Sequence, residues 1–197
     1  MNRRASYAAT LATVTGLLLM SPMSPAQDTQ TFGLGAILSG AQEVVPPDAP
    51  TTPSPGVQTT ASGTIQIGVA LDLSSLDFRL DVQNGVGVTQ AHLHCGRPGE
   101  NGPVILFLAP LNEQGADVNG TLASGTRGNT DLEAGAEVCE QLIGMPVRNI
   151  ASLTAAAFAG LIYANVHTVA NPAGEIRGQL VPISDNQVSS ALARPAR

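Results

Sequence analysis

The 197-residue chain has no lysine and no tryptophan, and only three histidines and two cysteines. Residues 27–197 carry seven arginines against 15 acidic side chains, a formal charge of −8. Proteins that bind nucleic acid need a clustered basic face, so this composition argues against nucleic acid as a partner. It also gives no support for docking on an anionic membrane surface.

Long apolar runs are equally scarce. The longest lies near the start, at residues 8–20, after Arg3 and Arg4 and before Ala26. It is too short for a comfortable membrane span. A positive start, a short apolar core and a small-x-small end are typical of a secretory signal peptide. We therefore expect a signal peptide at residues 1–26 and a periplasmic or secreted protein without a membrane span.

The two cysteines allow two interpretations. In exported proteins a pair of cysteines usually forms a disulfide. Joining Cys95 to Cys139 would close a loop in the unfolded chain and so stabilise the folded protein by about 4 kcal/mol. Alternatively, Cys95 binds a metal beside His94. Alternation along a strand places neighbouring side chains on opposite faces, which favours the disulfide.

The histidines are confined to two short stretches, AHLHCG at 91–96 and YANVHT at 163–168. If both are strands, His92 and His94 share one face, and His167 shares a face with Tyr163 and Asn165. The apolar side chains take the other faces, so we expect the histidines to point away from the core, towards loops or water. Two imidazoles at i and i+2 plus a third from another strand suit zinc or copper. Short His-x-His pairs also occur by chance.

The remaining pattern is that of short strands separated by turns. Residues 76–83 alternate strictly between apolar and polar side chains, and Asn84-Gly85 predicts a turn after them. Residues 109–150 are the least regular, with a strand at 120–125 inside an inserted loop pinned by Cys139. One alanine-rich helix is expected at 152–159. The sequence predicts an all-β fold, an antiparallel Greek-key β-sandwich with one short helix, at residues 33–182, followed by a disordered tail at 183–197.

Four motifs resemble, in this order, the chordin-type (CHRD) domain. They are SGAQEVVPP at 39–47, AHLH at 91–94 with the loop at 96–103, YANVHT at 163–168 and NPAGEIRGQL at 171–180. The resemblance spans about residues 36–181. It implies a β-sandwich similar to copper/zinc superoxide dismutase. By that analogy Arg177 lies where a substrate-guiding arginine would, and three histidines fall on copper-ligand positions: His92, His94 and His167.

The chain departs from that dismutase in one respect. It has no further histidine to bridge copper and zinc or to build a zinc site, so a two-metal dismutase is excluded. The leading hypothesis is an exported protein that binds one metal ion through the three histidines, with copper preferred to zinc. Carriage of Cu(I) by thioethers is disfavoured because Met145 is the only methionine after residue 26. Partners for the imidazole N–H groups are expected among Gln90, Asn165, Glu175 and, further away, Glu43.

Two alternatives remain open. The first is an extracytoplasmic structural or protein-interaction module, in which the histidines only hydrogen-bond loops to the sandwich. Glu175 and Arg177 would then form an ordinary cross-strand pair. In chordin such domains belong to an extracellular protein that binds growth factors, so a protein partner fits this alternative. The second is a copper-only superoxide dismutase, although nothing in the sequence requires turnover.

Overall fold

The computed structural model describes residues 31–45, 56–134 and 136–193, so the expected signal peptide lies outside the described residues. Within these ranges the strands are β1 (Thr31–Ser39), β2 (Ser62–Ala70), β3 (Ser75–Cys95), β4 (Val104–Ala109), β5 (Ala116–Gly128), β6 (Ile162–Thr168), β7 (Ile176–Gln179) and β8 (Val181–Ile183). The α-helices are α1 (Ala136–Ile143), α2 (Ile150–Phe158) and α3 (Asp185–Leu192). None of these helices is long and apolar enough to cross a membrane.

The strands form one antiparallel sheet in the order β2-β1-β7-β6-β3-β4, with β5 paired to β3 and β8 paired to β1. Because β2 also pairs with β3, the sheet closes in a barrel-like manner. This confirms the predicted all-β antiparallel class. The first half of β3 pairs with β2 and β5, and its second half pairs with β6 and β4. One long strand therefore joins the two parts of the sheet and carries two histidines in its second half.

The strict alternation at 76–83 directs one face of β3 into the core. Leu76, Phe78, Leu80 and Val82 are each at most 1% exposed, and burying side chains of this size stabilises a fold by about 1.5–3 kcal/mol each. The turn expected at Asn84-Gly85 does not occur. Instead β3 continues through a left-handed Asn84 (φ 53°), and its register with β5 shifts on either side of Gly85. Irregularities of this kind bend a strand without ending it.

The region 109–150 is more ordered than the sequence suggests. In place of a short strand in a loop, β5 runs for 13 residues along β3. Arg127 ties β5 to β4, because its Nε donates to the Phe107 carbonyl at 2.9 Å and its Nη2 to the Leu108 carbonyl at 3.2 Å. The Cys95–Cys139 disulfide is present and confirms the predicted pairing. It fastens α1 to the end of β3, directly after His94.

The helices also differ from expectation. The predicted helix at 152–159 is α2, which begins earlier because Asn149 caps it by accepting from Ser152 N at 2.8 Å. Two further helices occur among the described residues. Asp185–Leu192 forms α3 where a disordered tail was expected, since its polar sequence still buries Val188 and Ala191. Because Gly33 of β1 has no side chain, this helix can pack closely against the strand. A Cβ at position 33 would lie only 2.8 Å from Val188 Cγ2.

Candidate metal centre

Strand pairing brings the three histidines together. In the antiparallel pairing of β3 with β6, Gln90 lies opposite His167 and His92 lies opposite Asn165. His92 and His167 are therefore diagonal neighbours on one face, and His94 lies two residues further along β3. One ligand atom from each of the three histidines falls within 4.8 Å of the others. This group is able to hold a metal ion.

The histidine face meets loops, as expected, but it is buried and not open to water. His92, His94 and His167 point away from the apolar core, yet they are only 2%, 7% and 6% exposed. Two loops close over them. His94 Nδ1 bonds to the carbonyl of Gly102 at 2.9 Å, and His167 Nδ1 bonds to the carbonyl of Pro172 at 3.0 Å. Alternation predicts which face a side chain takes, but not what covers that face.

These loop contacts define the tautomers of two histidines. A carbonyl oxygen only accepts, so Nδ1 of His94 and Nδ1 of His167 each carry the proton. In the neutral rings the lone pair is then on Nε2. Backbone carbonyls thus orient both imidazoles and leave Nε2 available as a ligand, in the manner typical of metal-binding histidines.

Two of the nitrogens lie close enough together to share an ion. His92 Nδ1–H donates to His167 Nε2 at 3.1 Å. Imidazole–metal bonds of about 2.0–2.1 Å hold two ligand nitrogens about 3.3 Å apart in tetrahedral geometry. The Nε2 atoms of His92 and His94 are buried without a hydrogen-bond partner among the described residues. An unpartnered buried polar atom costs about 1–3 kcal/mol, and a metal ion would remove that cost at His94.

Burial also keeps the three rings neutral. Burial, together with the smaller effects of the neighbouring His167 and His94, lowers the pKa of His92 to about 3. Burial lowers the pKa of His94 to about 4, against the opposing effect of the Gly102 carbonyl. The pKa of His167 is lowered by the same cause. At neutral pH no ring therefore carries a second proton, and each keeps one nitrogen lone pair.

The side chains predicted to support the imidazoles have other roles. Asn165 Nδ2 donates to Glu43 Oε1 and to the Ile176 carbonyl. Glu175 accepts from Thr59, Thr168 and Asn171. Within the described ranges neither these residues nor Gln90 hydrogen-bond to a histidine. Backbone carbonyls take that role, and no sequence signal reveals them because every residue has one.

Glu43 and Asn165 join the loop before β2 to the histidine face. Glu43 is 7% exposed, and burial raises its pKa to about 7 against the opposing effects of Asn165 and Arg177. Gly174, with φ 137°, completes this contact: a Cβ there would lie 2.8 Å from both Asn165 and Glu43. The loop that contains Pro172 and Gly174 is therefore held both by its hydrogen bond to His167 and by its contact with Asn165 and Glu43.

Arg177 is neither a partner of Glu175 nor an open, substrate-guiding cation. It is 2% exposed and donates to Asn101 Oδ1 at 3.2 Å and to the Arg97 carbonyl at 3.0 Å. Its guanidinium lies 3.5 Å from the centre of the Tyr163 ring. This position gives no support to a dismutase role for Arg177.

Tyr163 is the residue of this site that the sequence analysis did not single out. Its ring stacks on His94, with the centroids 4.9 Å apart and the planes 7° apart. Its hydroxyl accepts from the backbone N–H of Gly102 at 3.1 Å. The only sequence signal was its place on the same strand face as His167.

Fold and site together define an antiparallel, barrel-like β protein with a buried three-histidine group. The CHRD domain family matches the chain over residues 34–180, which is most of its length. The chain belongs to this family, and the resemblance drawn from its four motifs is confirmed. No curated protein and no solved structure shows a match to the chain.

Proposed function

We propose that this is an exported CHRD-domain protein that binds a single metal ion, copper in preference to zinc, through His92, His94 and His167. One observation carries the proposal. Three neutral imidazoles converge in a buried group, and the lone pair of His94 Nε2 has no partner among the described residues. Loop carbonyls already orient two of the rings, and binding through His92 Nδ1 would move the proton of that atom to Nε2.

The donor set favours copper. Imidazole suits both copper and zinc, but for a given set of ligands Cu(II) binds more tightly than Zn(II). Structural zinc sites use four protein ligands, whereas the group found in the described residues has three. Both cysteines are committed to the disulfide and supply no thiolate. Similarity to the copper site of copper/zinc superoxide dismutase, implied by the sequence motifs, supports the same choice.

Export is supported by two independent features. The first 26 residues have the composition of a signal peptide. The Cys95–Cys139 disulfide is of the kind that persists in oxidising compartments such as the periplasm or the extracellular space.

Metal titration of the protein lacking residues 1–26 tests the proposal. We expect one equivalent of copper to bind, with loss of binding in His94→Gln and His167→Gln. Glutamine is chosen because its amide still donates to the Gly102 or Pro172 carbonyl while the imidazole lone pair is removed. Gln83→Ala, an exposed position earlier on β3, is the control and should bind like the parent protein. Equal, weak binding by all four proteins would contradict the proposal.

A second candidate is an extracytoplasmic interaction module without metal. The observation in its favour is that His94 and His167 each bond a loop to the sheet. Under this alternative the two glutamine variants would keep their loops, and no variant would differ from the parent protein in copper binding. The search would then turn to protein partners.

A further inference from the structure

We propose that the three-histidine group selects Cu(I) over Cu(II) and Zn(II), and that the buried Arg177 cation contributes to this selection. The inference rests on the proposed metal binding and adds to it the charge of the ion.

The ligands supply no negative charge. Three neutral imidazoles would hold the ion, and the Born cost of burying an ion rises with the square of its charge. The carboxylates of Glu175 and Glu43 are engaged elsewhere, Glu175 by Thr59, Thr168 and Asn171, and Glu43 by Asn165. A divalent ion would therefore carry a larger uncompensated charge than a monovalent one.

Arg177 adds a positive charge next to this neutral group. Strand β6 lies between β3 and β7, so His94 and Arg177 approach Tyr163 from opposite sides. The guanidinium donates to neutral oxygens, those of Asn101 and Arg97. No salt bridge found within the described ranges includes it. Because repulsion scales with the charge of the ion, Arg177 disfavours a divalent ion twice as strongly as a monovalent one.

The number of available ligands also favours Cu(I). Three imidazoles complete a three-coordinate Cu(I) site, whereas Zn(II) and Cu(II) would need a further ligand, such as a water molecule, at this buried group. The group is bordered by aromatic rings. Phe107 meets His92 edge-on at 4.6 Å, and Tyr163 covers a face of His94. In the described part of the chain no fourth histidine, cysteine or carboxylate joins the group.

The test is a set of anaerobic competition titrations at pH 6 with Cu(I), Cu(II) and Zn(II), using chelators of known affinity. The parent protein is compared with Arg177→Gln and with Arg177→Lys, which keeps the charge. We expect the parent to bind Cu(I) most tightly. The ratio of the Cu(II) Kd to the Cu(I) Kd should fall roughly tenfold in Arg177→Gln and be retained in Arg177→Lys.

A further variant covers the case in which substitutions of the buried Arg177 unfold the protein. Glu43→Gln keeps an acceptor for Asn165 but removes a carboxyl that interacts electrostatically with Arg177. At pH 8 we expect it to raise the preference for Cu(I).

The outcomes separate the two proposals. Tighter binding of Cu(II) or Zn(II) than of Cu(I) by the parent would overturn the selectivity and leave metal binding standing. An unchanged ratio in both Arg177→Gln and Glu43→Gln would overturn the role of Arg177. Absence of binding by any of the three ions would overturn the proposed function itself.

Discussion

His94 and Tyr163 stack face to face, with their ring planes 7° apart. They lie opposite each other in the pairing of β3 with β6. The same tyrosine holds Gly102, whose carbonyl binds His94 Nδ1. Tyr163 therefore positions His94 both through its ring and through the loop.

Substituting Tyr163 separates these two effects. Tyr163→Phe keeps the ring and loses the bond from Gly102 N, so we expect a loss of about 1 kcal/mol in stability and little change in copper affinity. Tyr163→Leu also loses the stacking surface and should weaken copper binding. Urea unfolding and copper competition titrations measure the two quantities. Equal affinity of the Leu and Phe variants would show that stacking does not position His94.

Gly174→Ala should weaken metal binding through the loop that holds His167. An added Cβ would clash with Asn165 and Glu43 at 2.8 Å and displace the segment that contains Pro172. Gly144→Ala is the matched control, because Gly144 also has a positive φ, 76°, but a Cβ there meets nothing within 4 Å. Both variants should lose stability, and only Gly174→Ala should lose copper affinity. Copper affinities that fall equally in both would contradict this assignment.

Removing the disulfide should cost up to about 4 kcal/mol, because it closes a loop with a sequence separation of 44 residues. We expect Cys95→Ala, Cys139→Ala and the double variant to lose similar amounts, since one bond is lost in each case. Reduction of the parent protein by dithiothreitol should reproduce the loss. Denaturant unfolding measures it, and a double variant as stable as the parent would contradict the prediction.

Acid should destabilise the metal-free protein. The unfolded chain takes up protons on its histidines near pH 6.5, whereas the folded chain protonates His92 only near pH 3 and His94 near pH 4. Since the unfolded state binds more protons in this window, the free energy of unfolding falls as the pH drops below about 6.5. Urea unfolding between pH 7.5 and pH 4 measures the slope.

The Glu43 carboxyl has the opposite effect on the pH dependence of stability. Its pKa is raised from 4.5 to about 7, so between these values the folded state binds the extra proton and stability decreases as the pH rises. Glu43→Gln removes this contribution and should make the acid-induced loss steeper. An unchanged slope in Glu43→Gln would show that the Glu43 carboxyl titrates alike in both states.

Local sequence patterns determined the fold class and the members of the site. A strand has a period of two whatever surrounds it. The alternating pattern therefore predicted which side chains point into the apolar core and which point away from it, both at 76–83 and around His92, His94 and His167. The same rule placed Cys95 away from His94 and so favoured its bond to Cys139. The order of four motifs was enough to reveal the CHRD family.

Contacts distant in sequence determined the rest. Pairing on both sides of β3 overrode the turn tendency of Asn84-Gly85, and packing of Val188 and Ala191 formed α3 from a polar tail. Alternation alone did not show that the loops carrying the Gly102 and Pro172 carbonyls bury the histidines away from water. The Arg177–Tyr163–His94 stack depends on β7, β6 and β3 lying side by side, a relationship of long-range strand pairing that short-range sequence patterns do not encode.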